Sequence, residues 1–148
     1  MAIKENNKSR LLINIIGLPL LVSTIWYGGY IFTLLFTSII ILGGFELIDL
    51  AKQHSSRPLK SLLSLGLLTL VYMKFYSYSD SYILLLFTFL GILSLISEIF
   101  RNEEKPLLNI SIISFGMVWL GLLLGSVIPL RLIYGFNITI AMFLSVWA

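Results

Sequence analysis

Six stretches of this chain carry no acidic or basic side chain: Leu11–Tyr27, Tyr30–Phe45, Ser61–Met73, Tyr82–Ser97, Pro106–Leu130 and Leu132–Ala148. Backbone N–H and C=O groups in hydrocarbon must be satisfied within the chain, so apolar runs of this length are restricted to helices. The 148 residues are 58% hydrophobic and only 11% charged, with a mean hydropathy of +0.99. Soluble domains are about a quarter charged, so an ordinary soluble core is excluded on composition.

Other classes fall with it. Cysteine is absent and His54 is the only histidine, which leaves no disulfide framework and no zinc site of the usual three or four ligands. The net charge of +3 is better explained by membrane topology than by nucleic acid. Lys4, Lys8 and Arg10 imitate the start of a signal peptide. The apolar run behind them is too long for one, however, and Ser23-Thr24-Ile25-Trp26 offers no cleavage site, so a retained first span is expected.

The expected fold is an all-α polytopic helical membrane protein. It has five complete transmembrane helices, a sixth ending at the C-terminus, and a cytoplasmic N-terminus. Residues 1–10 form a basic cytoplasmic arm. Residues 11–53 form a transmembrane hairpin turning at Gly28-Gly29, with Gly17 and Pro19 inside its first span and Trp26-Tyr27 at the interface. Residues 54–148 add the further helices of one membrane domain, incomplete at its C-terminus. Ser61–Met73 is the shortest span and Lys74 snorkels from its end. Pro106 opens the fifth span, Arg131 marks the interface after Leu130, and Gly121-Leu-Leu-Leu-Gly125 provides close helix packing. Orientation follows from Lys4, Lys8, Arg10, Lys52, Arg57, Lys60, Arg101 and Lys105 on one side against Lys74 and Arg131 on the other.

Polar residues at span ends supply the candidate sites. Glu46 and Asp49 lie three apart and share a helix face. Two readings stand for them. Carboxylates at membrane depth are functional candidates, or both lie at headgroup level, paired with Lys52, Arg10 or Arg57. Glu98 and Arg101, also three apart, are expected to form an interfacial ion pair. Lys74 and Arg131 are read as flanking anchors, and Asp80 has no partner carboxylate. Asn109-Ile-Ser111 and Asn137-Ile-Thr139 are chance matches to the glycosylation pattern in apolar surroundings. No P-loop, dinucleotide fingerprint or nucleophilic triad is present, so no catalytic residue and no metal ligand is assigned.

Several stretches together resemble the N-terminal part of the bacterial phosphatidate cytidylyltransferase (CDP-diacylglycerol synthase) family. They are Arg10 before an Ile-rich span with Gly17 and Pro19, the Trp26-Tyr27-Gly28-Gly29 turn, and Gly44-Phe45-Glu46-Leu47 with its LIDLAKQ exit. Phe115-Gly116-Met117-Val118-Trp119-Leu120-Gly121 and Phe143-Leu144-Ser145-Val146-Trp147-Ala148 complete the order. The family's Ser-Asp-x-x-Ala-Tyr and Lys-x-Ser-Pro-x-Lys-Thr-x-Glu-Gly signatures, which bind metal ions, CTP and the phosphatidate phosphate, do not occur here. The resemblance implies a CTP-dependent nucleotidyltransferase of the bacterial inner membrane, multi-pass, acting in phospholipid biosynthesis. Phosphatidate, CTP and membrane lipids are its expected partners, a homodimer is open, and nucleic acid is not expected. It further implies Mg2+ for the full-length family with no site in this chain, which is expected to be truncated before its catalytic half and inactive alone. The alternative is a small non-catalytic multi-span scaffold, regulator or transporter half.

Overall fold

Gly28 and Gly29 both adopt left-handed backbone, with φ of 66° and 51°. Two successive such residues fold the chain back after the helical residues 19–27, a conformation that only glycine takes at little cost. In the computed structural model, residue 17 and residues 19–53, 55–101 and 103–147 are described, the last by its backbone alone. Residues 1–16, which include the expected basic arm, as well as His54, lie outside them.

Helix α1 (Gly29–Gln53) follows the turn, then α2 (Lys60–Phe75), α3 (Asp80–Arg101) and α4 (Pro106–Gly116). A π-helical stretch, Met117–Leu123, and a 3-10 turn, Leu124–Ser126, carry α4 without interruption into α5 (Val127–Trp147). The described residues are all-helical with no strand. On α1, Phe32, Phe36, Ile40, Gly44, Ile48 and Ala51 are buried; their spacing of four, four, four, four and three marks one helix face. That face packs against α2, α4 and α5, and Leu63, Leu67, Leu70, Ile113, Met117 and Ile128 complete the core. Large apolar side chains cover the outside, among them Leu34, Leu84, Ile99 and Leu123. This inversion of the soluble pattern suits a lipid surround.

Among the described residues, three helices are long and apolar enough to cross a membrane: Gly29–Gln53, Asp80–Arg101 and the run Pro106–Val146. Five complete spans and a sixth are therefore not supported. The 16 residues of α2 reach about 24 Å at the helical rise, short of a hydrocarbon core of about 30 Å. The described part of the N-terminal helix is shorter still. The expected fifth and sixth spans are joined, because Arg131 sits inside α5 and not in a loop. The break comes at Gly135, with φ 75° and ψ −167°. Just before it Arg131 reaches Ile25, and beyond it the chain reverses: Phe136 meets Trp26 at 5.1 Å, and Phe143 meets Phe36 at 6.0 Å, further along α1.

Gly121 is where the two expected small residues separate. A Cβ on Gly121 would collide with Leu70 and come within 3.3 Å of Leu67, whereas one on Gly125 would meet only the Leu120 carbonyl at 3.8 Å. Gly121→Ala is expected to cost about 1–3 kcal/mol through overpacking, and Gly125→Ala to be near neutral. Thermal unfolding in detergent checks this, and equal losses would count against the α2 contact.

Candidate functional site

The polar residues gather at two ends of the bundle. At one end meet the C-terminus of α1, the N-terminus of α2, the C-terminus of α3 and the N-terminus of α4; this end is called the basic end here. It is held by a hub drawn from two of these elements, α3 and α4, together with the linker between α1 and α2 and the loop between α3 and α4.

The linker is delivered to the hub by backbone chemistry. Ser55 takes a left-handed φ of 59°, and two bonds close the end of α1: Ser55 N to Lys52 O at 3.1 Å and Ser56 N to Ala51 O at 3.2 Å. This is the Schellman pattern, with serine where glycine is usual. Pro58 restrains Arg57 to extended backbone and so stops α2 from starting earlier. Ser56 and Arg57 are thereby placed opposite Asn109, one turn into α4 behind its first-turn Pro106.

Asn109 is fully buried and uses three of its bonding positions. Its Oδ1 accepts from Ser56 Oγ at 2.6 Å and from the Arg57 N–H at 2.7 Å. The Arg57 N–H can only donate, which fixes Oδ1 on that side and turns Nδ2 to Glu98 Oε2 at 2.8 Å. Glu98 Oε1 accepts from Arg101 at 2.7 Å, and the same guanidinium donates to the Arg57 carbonyl at 2.9 Å and to Glu103 at 3.2 Å. The Glu98 side chain is 2% exposed, the Arg101 side chain 26%. The expected pair thus exists, but as a buried hub rather than an interfacial contact. A buried carboxylate is tolerated only when fully partnered, and this one is. Both oxygens are committed, so Glu98 is not free to act as a base or to hold a cation.

The other candidates lie apart from it. Asp49 pairs with Lys52 at 2.7 Å with both side chains more than half exposed, and Glu46 is exposed on the same face of α1 with no partner among the described residues. Arg10, offered as a partner, lies outside the described residues. The neighbouring Lys60 ammonium sits 3.9 Å over the Phe45 ring instead. Beside the hub, Lys52, Ser55, Arg57, Glu103 and Glu104 line a cavity of about 350 Å3 with two cations and two carboxylates. Among the described residues, no group of three or more His, Cys, Asp or Glu is arranged to hold a metal ion. The carboxylates here do not fit the Mg2+ that the resemblance implies for full-length enzymes.

At the opposite end, Arg131 is not the free-standing anchor expected from the sequence. Its guanidinium donates to the carbonyls of Ile25 at 2.7 Å and Trp26 at 3.2 Å, capping the end of the helical stretch 19–27. Helix ends carry unsatisfied carbonyls and partial negative charge, so a cation is well placed there. Sequence reasoning missed this cap and the whole role of Asn109 and Ser56. The only available signal was an amide one turn into an otherwise apolar run, where an unpaired polar group would be costly.

A model of the cytidylyltransferase family matches residues 8–148 of the chain. No curated protein and no solved structure matches it.

Proposed function

Because the chain belongs to the cytidylyltransferase family over residues 8–148, we propose that it serves the transfer of a cytidylyl group from CTP to phosphatidate. In that reaction a phosphate oxygen of phosphatidate attacks the α-phosphorus of CTP and diphosphate leaves, giving CDP-diacylglycerol for phospholipid biosynthesis. The family match is the observation that carries this reading. The lipid-compatible exterior supports it, since the acceptor is a membrane lipid and the donor is soluble.

In this proposal the chain is a multi-pass protein of the bacterial inner membrane with the basic end in the cytoplasm. The support is the distribution of charge: Lys52, Arg57, Lys60 and Arg101 lie at the basic end, Lys74 and Arg131 at the other. The hub tethers the α1–α2 linker to α3 and α4, holding Lys52 and Arg57 at the face where CTP arrives. These two cations are positioning candidates for anionic substrate, partly neutralised by Glu103 and Glu104. Mg2+ belongs to the full-length family reading, and no step is routed through it here. We assign this stretch the scaffold and cavity wall, inactive alone, with a homodimer as its open assembly state. Nucleic acid has no part in this reading.

A second reading, a non-catalytic scaffold, regulator or transporter half, is favoured by one observation: Glu98, the buried carboxylate, is spent on structural contacts. The test is CTP-dependent formation of CDP-diacylglycerol from phosphatidate by the 148-residue chain in lipid with Mg2+, beside a longer chain from the same reading frame. We expect no product from the former and product from the latter. Turnover by the 148 residues would overturn their inactivity, and a silent longer chain would favour the second reading.

A further inference from the structure

At the end opposite the hub, α2, α3 and the π-helical stretch border an open groove of about 630 Å3. Lys74 and Asp80 stand at its mouth. Both line it, yet they form no ion pair with each other, and neither has an ion-pair partner among the described residues. Below them the walls are apolar. Ile83 and Phe87 lie four apart on α3, and Val118 and Leu122 four apart on the π-helical stretch facing them. Each pair is one row along its helix, so the trough runs parallel to the helix axes.

The mouth is built by local sequence. Ser77 takes a left-handed φ of 52°, with Tyr78 N bonded to Met73 O at 3.0 Å and Ser77 N to Lys74 O at 3.3 Å. The carbonyl groups at the end of α2 are thereby satisfied by the turn, which leaves the Lys74 ammonium without that task. Asp80 lies in the first turn of α3, where an acidic side chain complements the positive end of the helix dipole. One wall is a π-helix, a conformation rarely kept except where packing or a ligand demands it.

We propose that this groove is a seat for a zwitterionic phospholipid bearing a primary ammonium, such as phosphatidylethanolamine. Lys74 donates to the lipid phosphate as a compact point charge. Asp80 accepts from the lipid ammonium, and one acyl chain lies in the trough between the Phe87 and Leu122 rows. An anionic glycerol headgroup offers Asp80 no cation. A quaternary headgroup offers it a charge but no N–H. The seat is distinct from the hub and its adjoining cavity, and it needs the membrane placement but not the transferase reading.

The test is native mass spectrometry of the 148-residue chain in detergent. It is offered phosphatidylethanolamine, phosphatidylglycerol and phosphatidylcholine of matched acyl chains at equal concentration. Phosphatidylethanolamine adducts should exceed phosphatidylglycerol adducts roughly tenfold, as one discriminating charge contact allows. Asp80→Asn should level the two, Lys74→Gln should weaken both, and Val118→Trp should block retention of all three lipids. Unfolding temperatures of the variants confirm that they are folded. Equal retention of the lipids by the unaltered chain would overturn the proposal. So would discrimination that survives Asp80→Asn, or a dimer mass that excludes lipid, which would assign the face to a second copy.

Discussion

Replacing Asn109 by leucine, close in size but without the amide, is expected to lower stability by about 2–4 kcal/mol. The loss exceeds that of one hydrogen bond because three partners are stranded together. The Ser56 hydroxyl and the Arg57 N–H lose their shared acceptor, and Glu98 Oε2 loses its donor in a site closed to solvent. Membrane hydrogen bonds are individually modest, since the unfolded chain in lipid also finds partners. Here, however, a carboxylate is left half-satisfied. Glu98→Gln should cost less, because it removes the charge but keeps the shape, and Arg101 retains Glu103 and the Arg57 carbonyl. The double variant should fall short of the sum by at least about 1 kcal/mol, since the two side chains share one bond. Thermal unfolding in a fixed detergent measures all three. A loss below about half a kcal/mol for Asn109→Leu would mean that the hub does not hold the linker.

Gly28→Ala is expected to be the second severe substitution, through a residue far away in sequence. An alanine there would keep an unfavourable left-handed φ, a penalty of about 1–2 kcal/mol. Its Cβ would also lie 2.5 Å from Arg131 Nη2 and 2.7 Å from Cζ. The guanidinium is the end of a flexible side chain, so it would move and surrender its bonds to Ile25 and Trp26. Arg131→Met keeps the apolar stem and deletes only those bonds, which isolates the cap. If the contact is as described, the Gly28→Ala substitution already displaces Arg131, and the double variant should be milder than the sum by about 1–2 kcal/mol. Strict additivity in unfolding measurements would show that the clash is relieved without breaking the cap.

Both sites show where a sequence is readable. Glu98 and Arg101 are three apart on one helix, so their meeting follows from helix geometry alone. Asp49 and Lys52 meet for the same reason. Nothing local says that Glu98 is buried, because that depends on which face of α3 meets α4. Asn109 illustrates the same limit. Its bonds to Ser56 and Arg57 join residues more than fifty positions apart, and a sequon in an apolar run looks like an accident until Ser56 is seen opposite it. Arg131 reads as a loop marker because charges usually end spans. Its long side chain instead allowed it to stay in the helix and reach Ile25, across 106 positions.

The amino-acid sequence by itself determined the helical class, the apolar exterior, the turn at Gly28-Gly29 and the family. These depend on composition, short-range periodicity and backbone preference, none of which needs a partner helix. The number of membrane-length helices, the reversal at Gly135 instead of Arg131, the Asn109 hub and the cap on residues 19–27 were decided only by tertiary structure. Each of those depends on which surfaces come together. A charge-free apolar run is equally satisfied by lipid on every side, so it carries no record of its neighbours.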